Sequence, residues 1–259
     1  MFTVVAYSMQ RVGVTAALTV VTPVADPHVT IDGNNVVIPK ELNKLAGAYA
    51  SYGTGLAAGA PTFSQLQSPG LRRVFNQDIS RTSDTVAEVD ETNIHMFPES
   101  PIPLDADEGL QAWTAHAALA LGETTVGVFL CDGPLAKVDG EIRTIRFTSV
   151  CAPVTRVWTL GVLGVVQQLP MGTYAVVGMR AVLGTESGLV RLIFTGYDWR
   201  PGCVYSKAVT GISPSIFRSG RMGVWGTFDW MHLPRIEVCS VLAAPVANPA
   251  IYLDVIKIG

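Results

Sequence analysis

The clearest hydrophobic pattern lies in residues 172–195, where two apolar runs flank the short polar loop 184–188. Runs of β-branched and aromatic residues on either side of a Gly-flanked polar loop are typical of an antiparallel hairpin. Apolar side chains occupy both the odd and the even positions of each run. Because these positions point to opposite faces of a strand, both faces are predicted to be covered. Only Arg180 and Arg191 would need polar partners or access to solvent. We therefore predict that this stretch is the central hairpin of a β-sandwich.

The chain after Thr124 has the same strand-like pattern almost throughout. Short apolar runs recur there between turn residues, and they predict eight strands at the spacing of a sandwich. Residues 142–148 alternate polar and apolar positions, which predicts a strand with one wet edge or face. In residues 154–167, the glycines at positions 161 and 164 predict a bend.

The N-terminal part combines predicted strands with two predicted short helices. Residues 2–7 and 14–21 favour strands, and Asp32-Gly33 predicts a turn between two short strands. Pro39 is expected to open the first helix, which carries apolar residues at helical spacing until Gly53. Asp105 and Glu108 have the spacing of a capping box for the second helix, which ends at Gly122. Its apolar stripe comprises Leu110, Trp113, Ala117 and Leu121.

Together these elements predict an all-β fold, a jelly-roll-like antiparallel β-sandwich with an N-terminal strand/helix arm and two short helices. We divide the chain into an arm region, residues 1–122, packed on an eight-stranded sandwich, residues 123–259. At 259 residues the two parts could also form one continuous domain.

The composition points to a protein that associates. Charged residues make up only 15% of the chain and hydrophobic ones 49%, against about 25% charged in ordinary soluble domains. Such a chain cannot cover its surface with charge, so part of that surface is expected to be buried against other subunits. The uncharged stretches 46–71 and 157–179 are rich in small or polar residues and contain proline, so we predict no transmembrane span.

Charge and cysteine usage exclude some partners. The net charge of −3 provides no global basic field, and no strong nucleic-acid-binding tail is predicted. The four cysteines, at positions 131, 151, 203 and 239, are widely spaced and favour buried free thiols, with one disulfide pair as the alternative. Synthesis in the cytoplasm is consistent with this pattern.

No residue pattern indicates catalysis, a cofactor or a metal. The four histidines are scattered, the serine in the loop 184–188 is misplaced for a nucleophile elbow, and Gly53-Thr54-Gly55 lacks the spacing of a nucleotide loop. Asp105 is already explained as a helix cap. We therefore predict no enzyme activity, and no catalytic, cofactor-binding or metal-ligating residues.

In strand number, few charges and an apolar N-terminal arm, the chain resembles the jelly-roll capsid proteins of icosahedral viruses. The eight strands fall in residues 124–259, and residues 1–122 correspond to an arm or inserted region. The resemblance implies a structural virion protein, a major capsid protein that self-assembles into an icosahedral shell. Its partners would be copies of itself and other virion proteins, and it would reside in the virion after synthesis in the host cytoplasm.

This resemblance also sets expectations for the contacts. Many coat proteins begin with an Arg-rich arm, whereas residues 1–25 contain only Arg11, so the genome would be held by other means. We expect contacts between copies at residues 2–24 and 53–70, and at the basic and acidic segments within residues 72–91. Deleting residues 1–24 is expected to abolish particles and to leave a β-rich fold.

The alternative function is a carbohydrate-binding or adhesive β-sandwich, such as a spike or lectin. Its motive is the set Trp199, Trp225 and Trp230, because exposed aromatic rings can stack on sugars. Core or interface packing is the competing interpretation of these tryptophans, since Trp225 is out of phase with Trp230.

Overall fold

The computed structural model describes residues 1–11, 15–52, 63–80, 94–116, 122–135, 139–183, 188–205, 222–240 and 247–259. Its one described helix is α1 (Pro69–Arg72). The strands, in chain order, are β1 (Phe2–Arg11), β2 (Thr15–Val21), β3 (Ile31–Asp32), β4 (Asn35–Val37), β5 (Lys44–Tyr52), β6 (Phe63–Gln67), β7 (Gln77–Ser80), β8 (Ile94–Met96), β9 (Ile102–Pro103), β10 (Gly109–His116), β11 (Gly122–Cys131), β12 (Arg143–Val150), β13 (Thr159–Val165), β14 (Thr173–Val182), β15 (Gly188–Ile193), β16 (Gly202–Tyr205), β17 (Gly226–Asp229), β18 (Arg235–Ser240) and β19 (Ala250–Lys257).

A central antiparallel sheet, in the order β1-β11-β5-β8, is buried on both faces. β1 runs along β11 over its full length, from the Phe2–Cys131 pair to the Arg11–Gly122 pair. Because successive side chains of a strand point to opposite faces, Val4 contributes to one hydrophobic core and Val5 to another. This sheet therefore separates two cores.

A second sheet, in the order β3-β4-β10-β6-β7, covers one face of the central sheet, and β2 also pairs with β10. The core between them is aliphatic, with Leu66 and Leu110 facing Val126 and Val128. The buried Tyr7 hydroxyl donates a hydrogen bond of 2.7 Å to the Leu110 carbonyl. That bond ties the two sheets together across an otherwise apolar layer.

The third sheet has eight strands, in the order β16-β15-β18-β13-β12-β19-β14-β17. It covers the other face of the central sheet, and β14 and β16 approach each other, so the sheet curls on itself. Its core includes Phe147, Met179 and Leu253, together with Phe2 of the central sheet. All described pairings are antiparallel, which confirms the all-β, sandwich-like class predicted from the sequence.

Both predicted helices are wrong. The first one lies where β5 begins, and the second one spans β10, with residues 117–121 outside the described part. Leu45, Ala48 and Ala50 are all buried in β5, because both faces of this strand are covered, so the apolar spacing could not distinguish a strand from a helix. Asp107, shortly before β10, has a positive φ of 64°. The residues predicted to cap a helix therefore form a turn that leads into a strand.

The prediction of a central hairpin is correct for its strands and wrong for their pairing. β14 pairs with β17 and β19, whereas β15 pairs with β16 and β18. The burial of both strands on both faces agrees with the prediction. After residue 121 the structure describes nine strands rather than eight, and the first of them, β11, belongs to the central sheet.

The N-terminal strands β1 and β2 and the β3–β4 hairpin confirm their predictions. β1 is buried within its own chain, however, with Phe2 and Val4 fully buried, so it does not provide the free apolar surface that the sequence indicated. Of the other expected contact regions, residues 53–62 and 81–93 lie outside the described part. The domain boundary at residue 122 stays a prediction.

Candidate interaction surface

The outer face of β12 changes along the strand from polar to apolar. Exposed and buried positions alternate along it, with Arg146 and Thr148 pointing outward and Phe147 inward, which confirms the predicted wet face. The alternation ends the strand with the exposed Val150 and continues beyond it to the exposed Val154. One end of this outer face is therefore covered by apolar side chains.

The neighbouring strand β13 extends this apolar area. Val162 lies directly opposite Val150 in the antiparallel register, so the two side chains share a face, and Leu160 shares that face two residues away. Val157 closes the turn that connects the strands. We call the exposed side chains of Val150, Val154, Val157, Leu160 and Val162 the valine face; each is between 45% and 69% exposed.

Hydrogen bonds hold the turn of the valine face in place. The Val157 amide donates to the Val154 carbonyl at 3.3 Å, and the Val154 amide donates to Thr159 Oγ1 at 2.9 Å. Arg156 adopts a left-handed conformation, with φ of 57°, which a tight turn of this kind requires. The apolar side chains are thus presented from an ordered support.

Arginines surround the valine face. Arg235 lies directly opposite Val162 on the neighbouring strand β18, Arg146 precedes Val150 on β12, and Arg156 lies in the turn. No carboxylate in the described ranges forms an ion pair with Arg146 or Arg235. The surface therefore has an apolar centre and a cationic rim.

Such a surface is suited to contact with protein rather than to chemistry on a small molecule. Monomeric soluble proteins rarely expose contiguous apolar patches larger than a few hundred Å². The carboxylate nearest to the face in the register, Glu237 opposite Leu160, is buried and bonded to Arg191, and the face is a sheet surface rather than a cleft. Burial against another protein is the favourable outcome for it.

The sequence offered one signal for this face that our predictions missed. Residues 160 and 162 are large, whereas Gly161 between them is small, and a Cβ added to Gly161 would lie 2.7 Å from the Cβ of Cys151. The inward side of β13 is therefore too tight for larger side chains at this point. Large apolar residues that alternate with such a glycine must point outward.

A buried ion cluster adjoins the valine face, since its member Glu237 lies directly opposite Leu160 on β18. Arg191 Nε donates to Glu237 Oε2 at 2.6 Å, and Arg191 Nη2 donates to Asp26 Oδ1 at 3.0 Å. The guanidinium also donates to the Val4 carbonyl at 3.1 Å and stacks 3.9 Å from the ring centre of Trp158. These are the polar partners that the sequence required for Arg191, and its burial gives it a structural role.

His28 and Arg200 lie next to this cluster. Arg200 Nη2 is 3.2 Å from His28 Nδ1, and because a guanidinium can only donate, His28 Nδ1 accepts and its ring is neutral. Burial, together with the positive charge of Arg200, lowers the pKa of His28 below its usual value. The histidine therefore acts as a hydrogen-bond acceptor for Arg200.

The three cysteines whose side chains are described are buried free thiols: Cys131, Cys151 and Cys239. Burial raises the pKa of all three thiols, and that of Cys239 to about 12. The thiolate is the reactive form, so these groups are expected to be inert at neutral pH. The side chain of Cys203 lies outside the described part.

We expect a Cys203→Ser variant to react with a water-soluble thiol reagent at pH 8 only after denaturant is added. The three remaining thiols should then appear together as the chain unfolds, because each lies in the core between the sheets. Absorbance of the released chromophore measures the reaction. Rapid labelling of the native variant would contradict the burial of these residues.

The tryptophans proposed for sugar binding do not form one platform. Trp225 is only 1% exposed and packs edge-on against Phe2, with ring centres 5.3 Å apart. Trp230 packs against the same core, whereas Trp199 packs against the other core and donates to the Trp225 carbonyl at 3.1 Å. The interpretation of Trp225 as a core residue is confirmed, and the alternative function loses its central ring.

A cavity of 760 Å³ lies between the segment 139–145 and the segment 167–170. Its charged lining is partly neutralised, since Arg143 pairs with Glu141 at 2.8 Å. The Tyr174 hydroxyl donates to the Pro170 carbonyl at 2.7 Å. Within the described part, no buried polar side chain without a partner lines this cavity.

Among the described residues, no group of three or more His, Cys, Asp and Glu side chains is arranged to bind a metal ion. None of the described helices has the length and apolar character needed to cross a membrane. His95 and His116 lie on β8 and β10, and His232 follows β17, so these three histidines lie on separate elements.

The valine face is therefore the strongest candidate for a functional site. Comparisons of the chain with protein-family models, curated proteins and solved structures found no match.

Proposed function

We propose that the chain is a structural virion protein, a major capsid protein whose copies assemble into a closed icosahedral shell. In this proposal the stacked sheets form a jelly-roll-like body, and other virion proteins are further partners. The observation that carries it is the valine face, an ordered apolar surface on a chain with only 15% charged residues. Contiguous exposed apolar surface of this kind marks a site of interaction with another protein.

The energetics favour many modest contacts. Burial of apolar surface is worth about 25 cal/mol per Å² before the costs of association. Those costs are several kcal/mol for each isolated pair of proteins, so a few hundred Å² give only weak binding between two copies. In a closed shell each copy makes several contacts at once, and weak contacts become sufficient.

Light scattering and electron microscopy of the purified protein test this function. At neutral pH and high concentration we expect closed particles whose mass is many times the 27.6 kDa of one chain. A protein that stays monomeric under these conditions would overturn the proposal. Binding of the monomer to a glycan array would then favour the adhesive alternative.

The variant Val150→Glu/Val162→Lys is expected to lose the particles. These residues lie directly opposite each other, so the new side chains form an opposite-charge cross-strand pair that preserves the fold while it removes apolar surface. The matched control is Met171→Glu/Met231→Lys, since both methionines are exposed outside the valine face. Equal loss of particles in both variants would count against a role of the face.

A further inference from the structure

We infer that the valine face binds a different surface on a second copy of the chain, the exposed tip formed by Val74 and Phe75. This inference rests on the proposed shell function, because it names one of the contacts that would build the shell. It makes the contact heterologous, so that each copy uses its valine face for one neighbour and its tip for another.

The cationic rim argues against pairing of two valine faces. A two-fold contact places the same patch of both copies together, so Arg146 and Arg235 of each copy would surround one desolvated centre. Like charges at an interface are unfavourable, and no described carboxylate neutralises Arg146 or Arg235. A partner surface should therefore combine exposed apolar side chains with nearby carboxylates.

The tip has the required apolar side chains. Val74 is 79% exposed and Phe75 is 67% exposed, and Phe75 is the one aromatic residue among the exposed large hydrophobic side chains of the described ranges. Aromatic residues are enriched in protein interfaces, where a few of them contribute most of the binding energy. Val74 and Phe75 are adjacent and both exposed, so together they form one compact apolar site.

The base of the tip is ordered. Ser68 caps α1 by accepting a hydrogen bond of 3.1 Å from the Leu71 amide, and the Leu71 side chain is buried in the core. The Val74 amide in turn donates to the Leu71 carbonyl at 3.0 Å. The tip therefore loses little conformational freedom on binding, which reduces the cost of association.

Carboxylates lie at the base of the tip, next to Gly70 and Arg73. Arg73 Nη1 lies 3.5 Å from Asp105 Oδ2, and the Gly70 amide donates to Glu108 Oε2 at 2.7 Å. Asp78, on the strand that follows the tip, is also exposed. Arg73 lies within 4 Å of both Asp105 and Glu108. With Arg72 and Asp78 counted as well, three acids and two arginines leave a net charge of −1 near the tip, opposite in sign to the rim of the valine face.

A mixing experiment with two inactive variants tests the contact. The face variant is Val150→Glu/Val162→Lys, which retains the tip, and the tip variant is Val74→Ser/Phe75→Ser, which retains the valine face. Each variant alone is expected to be monomeric by light scattering. At high protein concentration an equimolar mixture should associate weakly into a one-to-one dimer, because one intact face meets one intact tip.

Unfolding curves show whether both variants are folded, and Met171→Ser/Met231→Ser serves as the control that assembles like the unmodified chain. Particles formed by the tip variant alone, or a mixture that stays monomeric although the unmodified chain assembles, would overturn the contact. Open fibres or rings of the unmodified chain, lost in both variants, would support the contact and overturn the closed shell. An unmodified chain that is monomeric would overturn both.

Discussion

Replacement of Arg191 by methionine is expected to lower the free energy of unfolding by about 3–5 kcal/mol, because it leaves two buried carboxylates without their cation. Asp26 and Glu237 both bond to this guanidinium and are largely excluded from solvent. Loss of the stacking on Trp158 adds to the effect. Denaturation by urea, followed by tryptophan fluorescence, measures the change.

Arg180→Met is the matched control for this prediction. Arg180 also stacks on an aromatic ring, that of Tyr252 at 4.3 Å, but it is only partly buried, and its loss should cost about 1 kcal/mol or less. Adding Asp26→Asn to Arg191→Met should restore part of the stability, since one unpaired charge is removed. If the Arg191 and Arg180 variants were equally stable, the buried cluster would not have the importance assigned to it.

Phe2→Ala is expected to cost about 3–5 kcal/mol, the range for truncation of a buried phenylalanine. Phe2 is fully buried between the central sheet and the eight-stranded sheet, where its ring meets Trp225. Thermal and urea unfolding measure the loss. Met231→Ala, at a position 68% exposed, should be within about 0.5 kcal/mol of the unmodified chain.

The burial of β1 between two sheets changes the result expected for deletion of residues 1–24. The sequence suggested that a β-rich fold would survive, but the deletion removes β1 from between its two cores and β2 from the second sheet. We now expect the truncated chain to be unfolded or aggregated. Circular dichroism of a soluble, β-rich truncated chain would contradict this expectation.

Strands were predictable from the sequence where apolar residues are β-branched and the turns carry glycine. β1, β2, the β3–β4 hairpin and most strands after residue 121 were found in this way. β5 was not, because it is rich in alanine, which favours helices when a peptide is isolated. Its place between two covered faces overrides that local preference, and no local pattern reports such a place.

Pairing could not be predicted, since it depends on strands far apart in the sequence. The loop after β14 suggested a hairpin, yet β14 lies beside β19 and β15 beside β18. The composition did indicate that a single chain would expose apolar surface. It did not indicate which residues form that surface. The valine face depends on the outward orientation of Leu160 and Val162 on β13. The close packing of Gly161 against Cys151 on the inner side favours this orientation.

The arrangement of the strands determines when, during synthesis of the chain, the sheet that carries the valine face is complete. β12 and β13 are flanked by β19 and β18, which are synthesised long after them. β1, likewise, emerges from the ribosome well before its partner β11. Contacts between such distant strands form slowly. The sheet that supports the valine face is therefore completed only after β18 and β19 have been synthesised.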